Sequence, residues 1–495
     1  MQGFHCRYHK VSNVIFINDD FEFDVTVPLI VVGAGAAGLI AALAASDSKV
    51  QVLVVERDAS PGGSTSLSSG LIPACETRWQ ASAEVEDNVA IFMDDIQRKN
   101  KKQADEKLLK KVCSISGEVL HWLTDKHDQE FKLVDDFLYP GHSLHRMHCH
   151  PKRSGKAFID NLWFAAEKAG IDVITSAIVT DIFASKSSHV RGIRISRPDG
   201  TAENIGCDYI IFACNGYGGN PAMVSKYIPE MEDAMYFGHQ GNRGDAIKWG
   251  IKLGAAVKHM GSYQGHGSVA TPHGVLITWA IMMEGGIQIN TAGKRFSNEH
   301  EGYSEQAIKV LRQPGGIAWN IYDERLHKLA LKFGDYKGAF KNGAVRSFTS
   351  IDNLATDIGV SKEVIAASLE ELKAFKVGLK KCPFGRNFWQ TKILSGPPYY
   401  GVKVTGALFH TQGGLEIDTD AFVLKKDGLK LPNLLASGGA AVGVSGKGVA
   451  GYLSGNGLLT AITLGYISGQ SAARLIGGDY KNIAKSMPHP EGRAL

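Results

Sequence analysis

No C-x-x-C pair occurs among the seven cysteines, Cys6, Cys75, Cys113, Cys149, Cys207, Cys214 and Cys382. Their odd number and scatter argue against a disulfide framework or a spaced zinc site, and suit reduced thiols in a cytoplasmic protein. Charge of one sign is scarce as well. The 54 Lys and Arg against 50 Asp and Glu leave a formal net charge of +4, too little to announce nucleic acid or an anionic membrane as partner. The N-terminal run MQGFHCRYHKVSNVIF has no apolar core of signal-peptide length. Repeats and low-complexity segments are missing too. One uncharged stretch approaches membrane length, the 18 residues from Pro28 to Ala45. A four-residue strand pattern, three glycines and small alanines break it up, so no transmembrane segment is expected. What remains is an ordinary enzyme-like composition, 44% apolar and 21% charged over 495 residues, a length at which two domains are expected.

The chain is organised around Pro28 to Gly70. Leu29 to Val32 is a short apolar strand pattern, followed by Gly33-Ala34-Gly35-Ala36-Ala37-Gly38 and an Ala/Leu-rich helix to about Ala45. A second strand pattern, Val50 to Val55, ends at Glu56, where a Rossmann unit places the acid that holds a ribose hydroxyl. Gly33 permits the tight turn, Gly35 lets the backbone approach a pyrophosphate, and Gly38 lets the helix pack on the strand; free N–H groups at the helix start face the phosphates. This predicts dinucleotide binding. The loop that follows, RDASPGGSTSLSSG, consists mainly of small hydroxylated residues and glycine and suits the flat, polar ring system of a flavin.

With that GG(S/A)-rich loop the chain resembles the flavoprotein superfamily of fumarate reductases, succinate dehydrogenases and 3-ketosteroid dehydrogenases. The resemblance implies an α/β fold: a Rossmann-like FAD-binding domain with an inserted α+β capping domain that closes over the flavin. The corresponding boundaries are an N-terminal extension 1–23, FAD-binding segments 24–263 and 402–478, a capping and substrate domain 264–401, and a tail 479–495. Members with covalent flavin carry a histidine in the loop; Ser64-Thr65-Ser66 stands there instead, implying non-covalent FAD. The cofactor contacts implied are Gly33, Gly35, Ala36, Ala37 and Gly38 in the turn, Glu56 and Arg57 after the second strand, and Gly63, Ser64, Thr65, Ser68 and Gly70 in the loop. Val179 follows, then Asn215 and Gly216 in CNGYGGN, which resembles a second nucleotide-contact strand. Asp245 in GNRGD, Gly438 in ASGGAA, and Gly457, Leu458 and Leu459 complete the set.

Three further stretches bear on the reaction. Gly293 to Tyr303, GKRFSNEHEGY, resembles a superfamily segment whose last position is, in fumarate reductases, the arginine that delivers a proton; in 3-ketosteroid dehydrogenases it is a tyrosine that removes the proton next to the ketone. Here it is Tyr303. In Gly448 to Leu459, GVAGYLSGNGLL, Tyr452 stands where the fumarate reductases have a carboxylate-gripping arginine. The Tyr452-Leu453-Ser454-Gly455 form is most similar to 3-ketosteroid Δ4-(5α)-dehydrogenases. The third stretch, FHTQGGLEID, has the fumarate reductase form, in which the histidine, here His410, contacts a carboxylate. Two arginines grip a dicarboxylate with bidentate, charge-assisted bonds; two phenols suit a neutral ketone.

The expectation is therefore desaturation of a cyclic ketone, a 3-ketosteroid or an oxo-cyclohexane, next to its carbonyl. Tyr303 takes the α-proton, FAD N5 accepts the hydride, and Tyr452 with a backbone N–H of its loop steadies the enolate. Ser454, Gly455 and His410 complete the expected catalytic set. A free phenol pKa of ~10 requires that Tyr303 be tuned or linked to a relay. The rival reading is reduction of an unsaturated carboxylic acid, and a third is a flavin carrier without turnover. The electron acceptor is unassigned. Elsewhere, Ile91 to about Lys126 reads as helix, with Arg98 to Lys102 as a solvated face. Ser361 is expected to cap an amphipathic helix to Phe375. The histidine-dense run HSLHRMHCH, His142 to His150, fits no standard metal spacing and is read as a loop near flavin or substrate.

Overall fold

The strand Val25–Val32 is apolar on both faces, as a strand covered on both sides must be, and it lies inside a parallel sheet. Ala202–Phe212 pairs on one side, with Phe212 opposite Val32, and Val52–Val55 on the other, with Leu29 opposite Val52. Lys430–Ala436 and Asp172–Ile174 extend this parallel core outward. The lower half of Ala202–Phe212 turns to pair antiparallel with Val190–Ser196, which forms a hairpin with Ile178–Ala184. This computed structural model describes residues 14–389 and 391–486, without the side chains of 478–486.

Helix Ala36–Ser46 and the closing helix Asn456–Ser486 cross closely over the sheet. The crossing depends on small residues. A Cβ added to Gly465 would lie 2.6 Å from the Ala37 carbonyl oxygen, and one added to Gly469 would lie 2.2 Å from that of Ala41.

A second sheet is built around the 13-residue strand Tyr399–Thr411, flanked by Tyr263–Ala270 and Ile317–Asp323, both antiparallel to it. Ile287–Ile289 continues it beyond Ile317–Asp323. Both central strands run across the boundaries expected at 263/264 and 401/402, and Met235–Tyr236 joins the same sheet. Its two β-bulges, at Gln264/Gly265 and His266/Val269, fall where the strand passes over the cleft.

Three expectations are corrected. Residues 14–17, assigned to a surface extension, form an edge strand parallel to Ile178–Ala184, with Ile15 opposite Ile182; residues 1–13, and Cys6 with them, lie outside the described residues. The single helix expected from Ile91 is two, Val89–Asn100 and Glu106–His127. The break follows from Lys101 and Lys102 at φ 56° and 58°, and from Asp105, whose side chain accepts the Leu108 N–H and starts the next helix. Lys99 is likewise no solvated charge: it donates to the Glu301 carbonyl at 2.8 Å and pairs with Glu305. Helix Lys362–Lys376 is capped by Ser361, which accepts the Val364 N–H. The described part of the expected tail, to Ser486, continues the closing helix. No helix among the described residues is long and apolar enough to cross a membrane.

Candidate active site

At the carboxyl end of the parallel core the chain leaves Val32 through Gly33 at φ +104°, whose N–H donates to the Val55 carbonyl at 2.8 Å. Ligands of open α/β sheets bind at this edge. An added Cβ at Gly38 would fall 1.8 Å from the Gly33 carbonyl oxygen, so the helix seats on the turn only with glycine there. At Gly35 the same test finds only Thr65 Oγ1, at 3.8 Å: the position looks into open space, as a phosphate-contact glycine must. The Glu56 carboxylate accepts the Ala34 N–H at 2.8 Å and the Asp58 N–H at 2.9 Å, and burial pushes its carboxyl pKa up. Each carboxylate oxygen keeps acceptor capacity on the cleft it lines.

Arg57 ties this end to a loop that sequence reasoning touched only at Asp245. It donates to the Gly241 carbonyl at 2.8 Å and pairs with Asp245 at 3.2 Å. Alongside, the Ser64 hydroxyl oxygen accepts from the Asn242 side chain at 2.8 Å, and His239 pairs with Asp58 at 2.7 Å. Residues 236–245 therefore strap down the flavin loop. His239 and Asn242 carried no motif in the sequence. What places them is the closeness of the two loops.

The result is one continuous cleft, partly open to solvent, that runs from the glycine turn to the second sheet. Gly33, Gly35, Ala36, Ala37, Glu56, Arg57, Gly63, Ser64, Thr65 and Ser68 line it, as do Val179, Asn215, Asp245, Gly438, Gly457 and Leu458. Four residues expected to touch the cofactor stand behind the wall instead. Gly38 packs on the turn; Gly70, at φ +68°, abuts the backbone of Gly155; an added Cβ on Gly216 would meet Thr411 Oγ1 at 1.9 Å; Leu459 is wholly buried. Asn215 lines the cleft from a left-handed conformation, φ +65°, its side chain accepting the Gly216 N–H at 2.8 Å.

The other half of the cleft gathers the expected catalytic residues. Tyr303 opens helix Tyr303–Leu311 directly after Gly302, whose φ of +139° favours glycine. Its ring stacks on His266 at 4.7 Å and lies 6.2 Å from that of Tyr452, at 62°. Ser454, Tyr452 and the Gly455 N–H adjoin the Tyr303 phenol and favour its ionised form; burial outweighs them and pushes the phenol up to about 12. Gly455 reaches this position at φ +85° against Pro73, where an added Cβ would meet Cδ at 2.5 Å. Tyr452 in turn accepts the Gly457 N–H at 3.4 Å, and burial holds its phenol well above the usual value.

His410 lies 5.8 Å from the Tyr452 ring, and burial pushes its imidazole down to about 4, so it is neutral. His266, also neutral, accepts the Ser268 N–H on Nδ1 at 3.1 Å, which leaves the ring proton on Nε2. Leu71, Tyr139, Met147, Leu276, Trp279 and Phe333 complete an apolar wall. Tyr139 was not foreseen; nothing in its local sequence marks it. Among the described lining residues the sole arginine is Arg57, at the cofactor end, and none is lysine. No group of three or more His, Cys, Asp or Glu among the described residues is placed to hold a metal ion.

The chain belongs to the FAD binding domain family, which it matches over residues 29–458. It is 29% identical over 455 residues to a probable fumarate reductase of Shewanella frigidimarina, covering 91% of this chain and 75% of that protein. Among solved structures it is similar to the open conformation of a flavocytochrome c3 fumarate reductase, with a TM-score of 0.77 and 28% identity over 92% of this chain and 79% of the other. It shares the fold of the 3-ketosteroid-Δ4-(5α)-dehydrogenase of Rhodococcus jostii in complex with 4-androstene-3,17-dione, TM-score 0.73 at 22% identity over 93% and 99% of the two chains. The glycine cradle open at Gly35 and the Glu56 carboxylate on the cleft wall fit the cofactor that the family binds. The protein is an FAD-dependent oxidoreductase of the α/β flavoprotein fold.

Proposed function

We propose that this enzyme, which acts on carbon–carbon bonds, desaturates a cyclic ketone next to its carbonyl, with residues 264–401 serving as the cap over the substrate. One observation carries the reading: the phenols of Tyr303 and Tyr452 meet over the Ser454-Gly455 backbone in an apolar half-cleft without a lysine or arginine among its described residues. A neutral substrate suits such a site. A carboxylate there would be desolvated without a fixed cation to pair with.

Tyr303, neutral before substrate binds, takes the proton α to the carbonyl as its own phenolic proton leaves toward solvent, and the adjoining Ser454 and Gly455 N–H lower the cost of charge passing through its oxygen. The Ser454 hydroxyl donates to the Pro140 carbonyl at 3.5 Å, which fixes its direction. Tyr452, its oxygen fixed by the Gly457 N–H, holds the substrate oxygen and stabilises the enolate as it forms. FAD, when bound, supplies the acceptor for the hydride leaving the β-carbon. The apolar wall excludes water from the enolate. FAD is held non-covalently on this reading, since the Gly62–Ser69 loop offers no histidine, cysteine or tyrosine for a covalent link.

Reduction of an unsaturated acid is the second reading. His410 and His266 on the cleft wall favour it, as does the similarity to a fumarate reductase. Anaerobic bleaching of the bound flavin by a panel of steroidal and monocyclic ketones decides between the two. Bleaching lost in Tyr303→Phe establishes desaturation. No bleaching by any ketone, with reoxidation of the reduced enzyme by an unsaturated acid, sinks it.

A further inference from the structure

The histidine-dense run His142 to His150 forms no group of three metal ligands among the described residues, yet it holds deeply buried polar groups: His142 is 5% exposed, Arg146 1% and His148 0%. Its first histidine touches the catalytic loop. His142 Nε2 lies 2.9 Å from the Ser454 carbonyl oxygen, while Nδ1 faces Arg146 Nη1 at 3.4 Å. The guanidinium has only protons to offer, so Nδ1 must present its lone pair and the ring proton must sit on Nε2. That proton is donated to Ser454.

Nothing in the surroundings allows His142 to change this state. Arg146 is locked by two bonds to Asp87, at 2.9 and 2.8 Å, and by an ion pair to Asp95. Asp95 is held by the Ser143 N–H and hydroxyl, each at 2.8 Å, and by Arg98 at the surface. Burial and the adjoining guanidinium hold the imidazole neutral, down to about 3. A second contact fixes the same loop independently. Gly141, at φ +85°, packs so closely on Leu453 that an added Cβ would meet Cδ1 at 2.6 Å, and the Pro140 carbonyl faces the Ser454 hydroxyl.

We infer that His142 is a positioning residue for the proposed reaction: as a tautomer-locked donor to the Ser454 carbonyl, it sets the direction of the Ser454–Gly455 peptide and holds the Gly455 N–H beside the Tyr303 phenol. The carbonyl it grips belongs to the very peptide unit whose N–H is that of Gly455. Rotating that peptide away from His142 swings the N–H off Tyr303. The chain Asp87/Asp95–Arg146–His142 is thus a rigid strut behind the phenol, and it gives the unexplained histidine run a role that no metal is needed to fill.

The inference rests on the reading of Tyr303 as the base, so the test has one arm that needs no substrate. His142→Gln retains an N–H donor of similar reach, and His142→Ala removes it; flavin content and thermal midpoint of both variants establish that they fold. With 3-fluorotyrosine incorporated, the Tyr303 resonance, identified by its loss in Tyr303→Phe, should move and broaden in His142→Ala and stay near wild type in His142→Gln. Ketone-driven bleaching at saturation should fall about 10- to 100-fold in His142→Ala, less than the ~10²–10⁴-fold of losing an acid–base group itself, with substrate affinity little changed and most of the rate restored in His142→Gln. An unmoved Tyr303 resonance in His142→Ala overturns the inference. So does His142→Gln failing as badly as His142→Ala. If no ketone bleaches the wild type, the desaturase reading falls, and the fluorine resonance alone still decides whether His142 orders the phenol's partners.

Discussion

Gly35 and Gly38 lie three residues apart and present opposite surroundings, so the same substitution should act on different properties. At Gly38 an alanine methyl would sit 1.8 Å from the Gly33 carbonyl oxygen, where ordinary contact begins at 3.4 Å. The helix must retreat by roughly the difference, 1.6 Å, and the obstacle is backbone that cannot rotate aside. Overpacking of this kind costs ~1–3 kcal/mol or more. In a chain this large that lowers the thermal midpoint by several degrees even before cofactor is added, at about 2 °C or less per kcal/mol. At Gly35 the backbone, φ −74° and ψ −177°, already suits alanine, and the methyl meets only Thr65 Oγ1 at 3.8 Å.

Gly35→Ala should therefore leave the apoprotein as stable as wild type or ~0.4–1 kcal/mol more stable, because glycine's unfolded-state freedom is removed. Its methyl projects instead into the cleft, where the pyrophosphate must approach the backbone, and FAD should bind at least tenfold more weakly, ~1.4 kcal/mol. Scanning fluorimetry of apoprotein and FAD titration by flavin fluorescence read the two effects apart. Wild-type FAD affinity in Gly35→Ala, or an unperturbed apoprotein in Gly38→Ala, would refute the division of roles between these glycines.

Tyr303→Phe should slow ketone-driven bleaching by ~10²–10⁴-fold, the range for loss of an acid–base group, with flavin content unchanged; stopped-flow absorbance checks it, and a variant within threefold of wild type removes Tyr303 from the chemistry. Glu299, buried between Arg295 and Arg386, has its carboxyl pulled from 4.5 to about 2 despite burial. A lowered folded value contributes stability above the unfolded pKa, so the second sheet and its helices should lose stability as pH falls from about 4.5 toward 2. Glu299→Gln should cost ~3–5 kcal/mol at neutral pH by leaving two buried guanidiniums short of a counter-charge, measured by urea unfolding. At the strap, Asp58 is held low by His239 and His239 is held high by Asp58. The acid's contribution is complete above ~4 and lost as pH falls through its lowered value; the base's is complete below ~6.5 and lost as pH rises through its raised value. FAD should dissociate most slowly between these limits, and Asp58→Asn should flatten the profile; an unchanged profile would dissociate the strap from cofactor retention.

The Rossmann unit was legible because its signals are local. Turn glycines, an apolar strand and the acid at its end lie within thirty residues, and each does its work on a near neighbour. The second sheet was harder to delimit: Tyr399–Thr411 is one strand of 13 residues that runs across the expected boundary, and no composition change marks the crossing at residue 401. The helix break at Lys101 was missed because two lysines in left-handed conformations leave no sequence mark, whereas Asp105, a good N-cap, did leave one that went unread. Within the site, Tyr303, Tyr452 and His410 were named by motif. His239 and Asn242 arrive from one loop and Tyr139 from another, and only tertiary structure brings them to the cleft. His142 illustrates the same limit from the other side: the run was conspicuous, but its meaning depends on Ser454, 312 residues away.

The apolar half-cleft and the choice of a phenol impose one common requirement. Removing water and fixed cations raises the phenol of Tyr303 to about 12, so on the proposed reaction it is neutral before substrate arrives and cannot act as a free base at neutral pH. The same removal makes each correctly aimed donor count for more, since hydrogen bonds in a water-poor site are weakly screened. Charge developing on the phenol and on the substrate oxygen must then be met by hydrogen bonds alone: the Gly455 and Gly457 N–H groups and the hydroxyls of Ser454 and Tyr452. All belong to the single stretch 452–457. Such donors help only if they need not reorganise during the reaction, and the structure clamps this stretch on both flanks, by His142 and Gly141 behind Leu453-Ser454, and by His410, against which Gly457 packs so closely that an added Cβ would meet Nε2 at 2.4 Å. Rates in this site should accordingly be more sensitive to what holds residues 452–457 in place than to what lines the substrate's apolar wall, and substitutions of the two kinds should separate into effects on turnover and effects on binding.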